Sequence, residues 1–367
     1  MANRQGSLEN MVNFRQAFEG KRVWLSGHTG FKGSWLSEWL LDLGAIVHGY
    51  ALPPATTPSL FGQLGLAARL EHEVSDIRDE AAVRRSLPEF RPDFVIHMAA
   101  QPLVRRSYSI PVETYATNVM GTVHVLEALR TVSHPCATVI ITTDKVYQNH
   151  ESGRAYEEGD PLGGHDPYSS SKAMAEIAIS AYRNSFFQNH HVKLASARAG
   201  NVIGGGDWAE DRIVPDAMRA LDRGEEILVR NPSAVRPWQH VLEPLGGYLL
   251  LASKLALNAS VAAPFNFGPG PAANRSVRDL TEEILKHRKG VWDDMSDPGA
   301  LHEARLLNLS VEKACKVLDW IPRWDFAATV EKTVSWYRDV HDGIVTPAEM
   351  TASQIREYDR LISSNKL

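Results

Sequence analysis

An open parallel α/β sheet covered by helices on both faces, carrying a smaller discontinuous α/β cap, is the fold class this 367-residue sequence predicts. Three observations predict it. Between Lys21 and about Ala199, short apolar runs alternate with stretches of helical spacing. A glycine-rich turn joins the first run to the first helical stretch. After Gly200 the alternation gives way to loops rich in Gly, Asp and Pro, with shorter helices between them.

The elements follow in order. Residues 1–20 form a polar lead-in, ordered in part through Phe14 and Phe18. Val23-Trp24-Leu25 is a strand, and Gly33 to Leu43 repeats apolar residues at helical spacing. Ala45 to Tyr50 and Asp93 to His97 are further strands. Asn118 to Leu129 is a helix, Ala137 to Ile141 a buried strand, Pro167 to Ser185 a long helix and Val192 to Arg198 a strand. The predicted organisation is a nucleotide-binding domain over 21–199, to which 240–267 returns through a strand at Ala263 to Phe267. Residues 200–239 and 268–367 form a substrate-binding cap.

Bulk composition narrows the function classes. A net charge of −5 argues against a general nucleic-acid binder. The apolar stretch from Gly246 to Phe265 is broken by Ser253, Lys254, Asn258 and Ser260, so no membrane span is expected. Two isolated cysteines, Cys136 and Cys315, suit a reducing cytoplasm and make neither a disulfide framework nor a zinc site; no metal is expected.

The turn after the first strand reads GHTGFKG, residues 27–33. Gly27, Gly30 and Gly33 let the backbone turn tightly and approach a pyrophosphate, whose charge the following helix N-terminus meets. Thr29, Phe31 and Lys32 complete the loop. The GxxGxxG spacing between strand and helix points to a Rossmann-type dinucleotide site of the short-chain dehydrogenase variety. The second strand ends in Ala51-Leu52-Pro53-Pro54, without an acid for an adenosine ribose. Lys32 is the only nearby cation for a 2′-phosphate, and the reading is NAD. Asp76 and Ile77 are either an adenine-edge contact or a helix N-cap by Asp76. Ala99, Ala100 and Thr142, at later strand ends, would also border the cofactor.

Tyr168-Ser-Ser-Ser-Lys172 opens the long helix, and i, i+4 spacing places both side chains on one face. A tyrosine, with an ordinary pKa near ~10, needs a neighbouring cation to act as a base. The strand at 137–141 runs into TTDKVYQ, residues 142–148, so Thr143, Asp144 and Lys145 emerge at the ligand-binding edge of a parallel sheet. A solvated turn holding a weak ion pair is the competing reading of Asp144-Lys145.

With these residues in place, the chain resembles the extended short-chain dehydrogenase/reductases acting on nucleotide sugars, from about Lys21 to Tyr337. In that family a Ser or Thr at the position of Thr143 completes a triad with Tyr168 and Lys172. The 4,6-dehydratases carry an acid next, usually followed by Glu; this chain has Asp144 followed by Lys145. The segments QPLVRRSY (101–108), GNVIGGGDW (200–208), DRIVP (211–215) and RPWQHV (236–241) look like the branch that takes CDP-glucose.

The resemblance implies that Tyr168, aided by Thr143 and Lys172, removes the C4 hydroxyl proton as hydride passes to NAD. Asp144, protonated in a desolvated site, then serves the C6 hydroxyl as it leaves. Lys145 acts either as a neutral base at C5 or as an ammonium stabilising the enolate. Asn201, Arg236 and Arg212 are candidates for the diphosphate, with Arg236 favoured by its bidentate geometry. Gln101 and Arg105 would reach the sugar or a phosphate, and Glu303 the nucleotide ribose. His240, Trp208, Trp238, Trp320 and Trp324 read as structural. Self-association as a dimer or tetramer, through the helices at 118–129 and 167–185, is a family implication, as is a role in bacterial cell-surface deoxysugar synthesis. The alternatives are a dehydratase or epimerase acting on a dTDP-, GDP- or UDP-hexose, and a non-catalytic NAD sensor.

Overall fold

The computed structural model describes residues 14–150, 153–296 and 307–363. Seven strands form one sheet: β1 (Arg22–Ser26), β2 (Ile46–Ala51), β3 (Glu71–Val74), β4 (Phe94–His97), β5 (Cys136–Ile141), β6 (Val192–Ala199) and β7 (Pro264–Phe267). Their spatial order is β7-β6-β5-β4-β1-β2-β3, and every neighbouring pair is parallel. The chain builds outward from β1 to β3, then returns to the other side of β1 with β4. This reversal leaves a crevice beyond the carboxyl ends of β1 and β4, where ligands bind in such sheets. Ser26 is the register partner of His97, so the loops after both strands open into it.

Alternating side chains on each strand feed two cores. Val23 and Leu25 pack with helices α1 (Phe31–Asp42) and α5 (Leu242–Leu257) on one face. Trp24, Val95 and Ile140 pack with α2 (Glu80–Phe90), α3 (Gly121–Leu129) and α4 (Pro167–Ser185) on the other. With both faces covered, the central strands are buried along almost their whole length and mostly apolar, which is why they read as continuous runs. Phe14 and Phe18, on a short helix Phe14–Phe18, are both buried.

The region after Gly200 departs from the expectation of shorter helices. Besides α5 it holds α6 (Phe326–His341) and α7 (Pro347–Ser363), each at least 16 residues long. Helix α5 is buried nearly all round, so its sequence lacks the one-sided stripe that marks a surface helix. Helix α7 returns to the first core, where Tyr358 meets Trp39 edge-on and donates to Glu243 Oε2 at 2.7 Å. Shorter helices (Ile213–Asp222, Val277–His287, Glu312–Leu318) and two-stranded pieces accompany them: Val235–Pro237 pairs antiparallel with Asn274–Ser276, and Ile227–Val229 parallel with Trp292–Asp294. Among the described residues no helix is long and apolar enough to cross a membrane.

Candidate active site

The glycine loop is shaped by contacts that exclude side chains at two of its three glycines. Gly27 has φ +77°, and a Cβ there would lie 2.7 Å from the Ala99 nitrogen; a Cβ on Gly33 would collide with the Gly27 carbonyl. Gly30 is different. Its nearest neighbour would be 3.5 Å away, so the protein itself leaves the space beside it clear. Gly30 is also the N-cap of α1 and supplies no side-chain cap, leaving first-turn N–H groups of that helix for a ligand. A dinucleotide pyrophosphate fits this arrangement of open space and donors.

Around the loop, Thr29 Oγ1 donates to the Leu52 carbonyl at 2.8 Å, tying it to the end of β2. The Phe31 ring lies against Gly204. Lys32 turns toward the catalytic residues and away from the β2 end, which removes it as a 2′-phosphate ligand. Its Nζ donates to Tyr248 OH at 3.1 Å. Burial, then the Arg212 and Lys172 cations, lower Lys32 to about 7, with Asp144 opposing. Asp76 is not the cap of α2; Asp79 is, accepting from the Ala82 N–H. Asp76 instead grips the Arg78 backbone and guanidinium. Ile77 packs toward Gly121, and Ala99 and Ala100 are half-buried after β4.

The expected catalytic set comes together. Asp166 caps α4 by accepting from the Ser169 N–H, and Pro167 follows at the first helical position, so Tyr168 and Lys172 begin the helix on its buried face. Beyond β5, the Thr143 hydroxyl donates to Asp144 Oδ1 at 2.9 Å and lies close enough to Tyr168 to influence it. Burial pushes the Tyr168 phenol up to about 12, with the Thr143 hydroxyl pulling the other way. Lys172 Nζ donates to the Ile141 carbonyl at 3.2 Å, and burial lowers it to about 8 against the support of Glu176. Lys145 Nζ lies 3.3 Å from Asp144 Oδ1 and 3.4 Å from Asn201 Oδ1. Asp144 is only 2% exposed, so it does not sit in a solvated turn. Its Oδ2 faces Gly200, where a Cβ would come within 2.8 Å.

Gly200 and Pro237 line a cavity of about 200 Å3, walled on its far side by Gly268–Pro271 and Asn308–Val311. Asn201 follows Gly200 in the chain and accepts from Lys145. Arg236 lies on the short strand Val235–Pro237, where Nη1 donates to the Val235 carbonyl. Arg212 pairs with Asp207 Oδ2 at 2.7 Å and lies close enough to Tyr168 and Lys32 to influence both. Gln101 spends its side-chain amide within its own loop, on Leu103 and Thr114, and Arg105 is exposed on a short helix, Val104–Ser109. Thr142 turns away from the crevice and donates to Glu176 Oε1 at 2.6 Å. Glu303 lies outside the described residues. His240 is buried between Trp35 and Trp324. Among the described residues no group of His, Cys, Asp and Glu could hold a metal.

Four residues near the site were not singled out by sequence reasoning: Glu176, Arg198, Gly200 as a spacer, and Tyr248. Only Glu176 left a usable trace, because it repeats the Tyr168–Lys172 interval one turn further on. The others depend on contacts between distant parts of the chain.

A Thr–Tyr–Lys set beside a GxxGxxG loop on a seven-stranded parallel sheet defines an extended short-chain dehydrogenase/reductase fold with its active site. The family model for GDP-mannose 4,6 dehydratase matches residues 25–333, and the chain belongs to that family. It is 48% identical over 332 residues to the CDP-glucose 4,6-dehydratase of Salmonella typhimurium, covering 88% of this chain and 91% of that protein. It is 31% identical over 268 residues to a dTDP-glucose 4,6-dehydratase of Streptomyces antibioticus, covering 72% and 75%. Among solved structures, a UDP-glucose 4-epimerase of Thermus thermophilus in complex with NAD aligns with TM-score 0.71 at 25% identity, over 86% of this chain and 99% of that one.

Proposed function

We propose that the chain is an NAD-dependent 4,6-dehydratase that converts CDP-D-glucose to CDP-4-keto-6-deoxy-D-glucose. The observation that carries this reading is the placement of Asp144: buried, bonded to Thr143 and Lys145 through one oxygen, and turned to the Gly200 backbone with the other. The 48% identity to a CDP-glucose enzyme supports the choice of nucleotide.

NAD, held over Gly30 and the α1 N-terminus, would accept hydride from C4 of the sugar and return it at C6. The residues of this chain move the protons. Tyr168 takes the C4 hydroxyl proton; burial keeps it a phenol at rest, so it relies on Thr143 and on the Arg212 cation, against Asp144, to become a base. The C4 ketone acidifies the C5 proton. Loss of that proton and of the C6 hydroxyl falls to the Asp144–Lys145 pair. Asp144 Oδ2, the oxygen not engaged by Thr143 and Lys145, delivers the proton that turns the C6 hydroxyl into water. With one proton passed from Lys145 to Asp144 across their contact, Lys145, poised between Asp144 and Asn201, accepts the C5 proton as Asp144 gives its own to the departing hydroxyl, which restores the ion pair. Arg236 and Asn201 hold the diphosphate.

Incubation with CDP-, dTDP-, GDP- and UDP-hexoses in deuterated water tests the reading. A 4-keto-6-deoxy product with deuterium at C5, formed best from CDP-glucose, is expected. Inversion at C4 without water loss, or preference for another nucleotide, overturns it.

Self-association belongs to the same proposal. Met120, Met174 and Ile177, on or beside α3 and α4, and Val112 on the helix Pro111–Tyr115 are 47–81% exposed, an apolar stripe that a second copy would cover. A dimer by light scattering is expected, and a monomer at micromolar concentration would remove it. A cytoplasmic location and a place in cell-surface deoxysugar synthesis suit this activity.

A further inference from the structure

Beneath the catalytic residues lies a buried ion pair that the mechanism above does not use. Glu176 stands one turn beyond Lys172 on α4, and Arg198 lies on β6; their side chains are 2% and 4% exposed and 2.7 Å apart. The Glu176 carboxylate is saturated. Oε2 accepts from Arg198 Nη2 and from Ser196 Oγ, and Oε1 accepts from Thr142 Oγ1 at 2.6 Å. Arg198 carries the connection onward, since its Nη1 donates to Tyr147 OH at 2.8 Å, and that hydroxyl donates to Asn266 Oδ1 at 2.7 Å. The guanidinium also lies over the Tyr147 ring, which stacks on Tyr156.

Thr142 and Tyr147 are the two ends of the segment that presents Thr143, Asp144 and Lys145. Both ends are tied to one carboxylate–guanidinium pair, and the carboxylate sits on the helix that bears Tyr168 and Lys172. We propose that the Glu176–Arg198 pair is the positioning element of the elimination, holding the Asp144 segment in fixed relation to the Tyr168–Lys172 helix. This rests on the reading of residues 143–145 as the dehydration machinery.

A buried ion pair is a weak source of stability, because desolvation of both charges offsets most of their attraction. Here it supplies register. Four hydrogen bonds tie it to its surroundings, at Thr142 just after β5, Ser196 on β6, Tyr147 and the Glu158 carbonyl, and Tyr147 carries the connection on to Asn266 on β7. A shift of the Asp144 carboxylate on the order of 1 Å costs about 10²-fold in rate. The oxidation at C4 needs only Thr143, Tyr168 and Lys172. The elimination needs Asp144 and Lys145 as well, so loosening the segment falls hardest on the second step.

The test uses Tyr147→Phe and Thr142→Val, which release one end each and keep the ion pair, with Glu176→Gln as the stronger variant. Each end variant is expected to lower kcat about 10-fold with KM for CDP-glucose changed less than about twofold. Bound reduced nicotinamide should accumulate during turnover, since cofactor reduction outpaces water loss. Amide exchange of residues 143–146 should quicken in the free protein while the melting temperature holds. Folded end variants with wild-type kcat and exchange, or with reduction and water loss slowed equally, overturn the proposal. Should Glu176→Gln not fold, the end variants decide alone. A wild-type protein that does not dehydrate CDP-glucose sinks the functional reading instead, and the exchange measurement still judges the brace.

Discussion

Thr143, Asp144, Tyr168 and Lys172 are each no more than 9% exposed, and each has a protein partner already in place. By contrast, Asn201 and Arg236 are half-buried, on a loop and on a three-residue strand of a two-stranded piece. The floor stands just beyond β5 and at the start of α4, packed against the main sheet, whereas the cap wall is assembled from short pieces. The difference separates two tasks. In the proposed roles, the groups that move protons are held by the protein's own packing, and the groups that grip the nucleotide stand on less buried pieces.

This division can be broken most sharply at Tyr168. Tyr168→Phe is expected to lower kcat by about 10³-fold or more, with no reduction of cofactor by CDP-glucose and binding of the nucleotide sugar, measured by calorimetry, within a few-fold of wild type. Asp144→Asn should cost roughly 10²- to 10³-fold in product formation while cofactor reduction continues, visible as reduced nicotinamide in a single turnover. Unimpaired turnover would remove Asp144 as the acid.

On the cap wall, Arg236→Ala should raise KM for CDP-glucose about 10- to 100-fold, the loss of one or two charge-assisted hydrogen bonds, with kcat within about threefold. If that variant lost kcat alone, floor and wall would not divide the work this way. The smallest effect is on stability, in a region remote from both. Burial raises Glu243 to about 7, against backbone donors and Tyr358. The folded form therefore holds this proton more tightly than the unfolded chain. Its contribution is full below the ordinary value of 4.5 and is lost as pH climbs through about 7. Glu243→Gln should flatten the fall in melting temperature between pH 5 and 8 by a few degrees.

What could be read from sequence follows the same line. The sheet, the glycine loop and the Thr143–Tyr168–Lys172 set were legible, because strand runs and short fixed intervals are local patterns. The brace was not: Glu176 and Arg198 look like ordinary polar residues on a helix and a strand until the fold brings them together. The contact of Lys32 with Tyr248 was not legible either, because the two lie 216 positions apart. Helix α5 hid behind its own burial, since a helix apolar on every side shows no period. Asp76 was open between two roles, and the true cap, Asp79, stood three residues on.

Gly200 carries one more consequence. A side chain there would press on Asp144 Oδ2, so a change at residue 200 is felt first as a displaced carboxylate and not as a broken backbone. Residue 200 therefore works as a set-screw on the acid: it can be turned without touching the sheet.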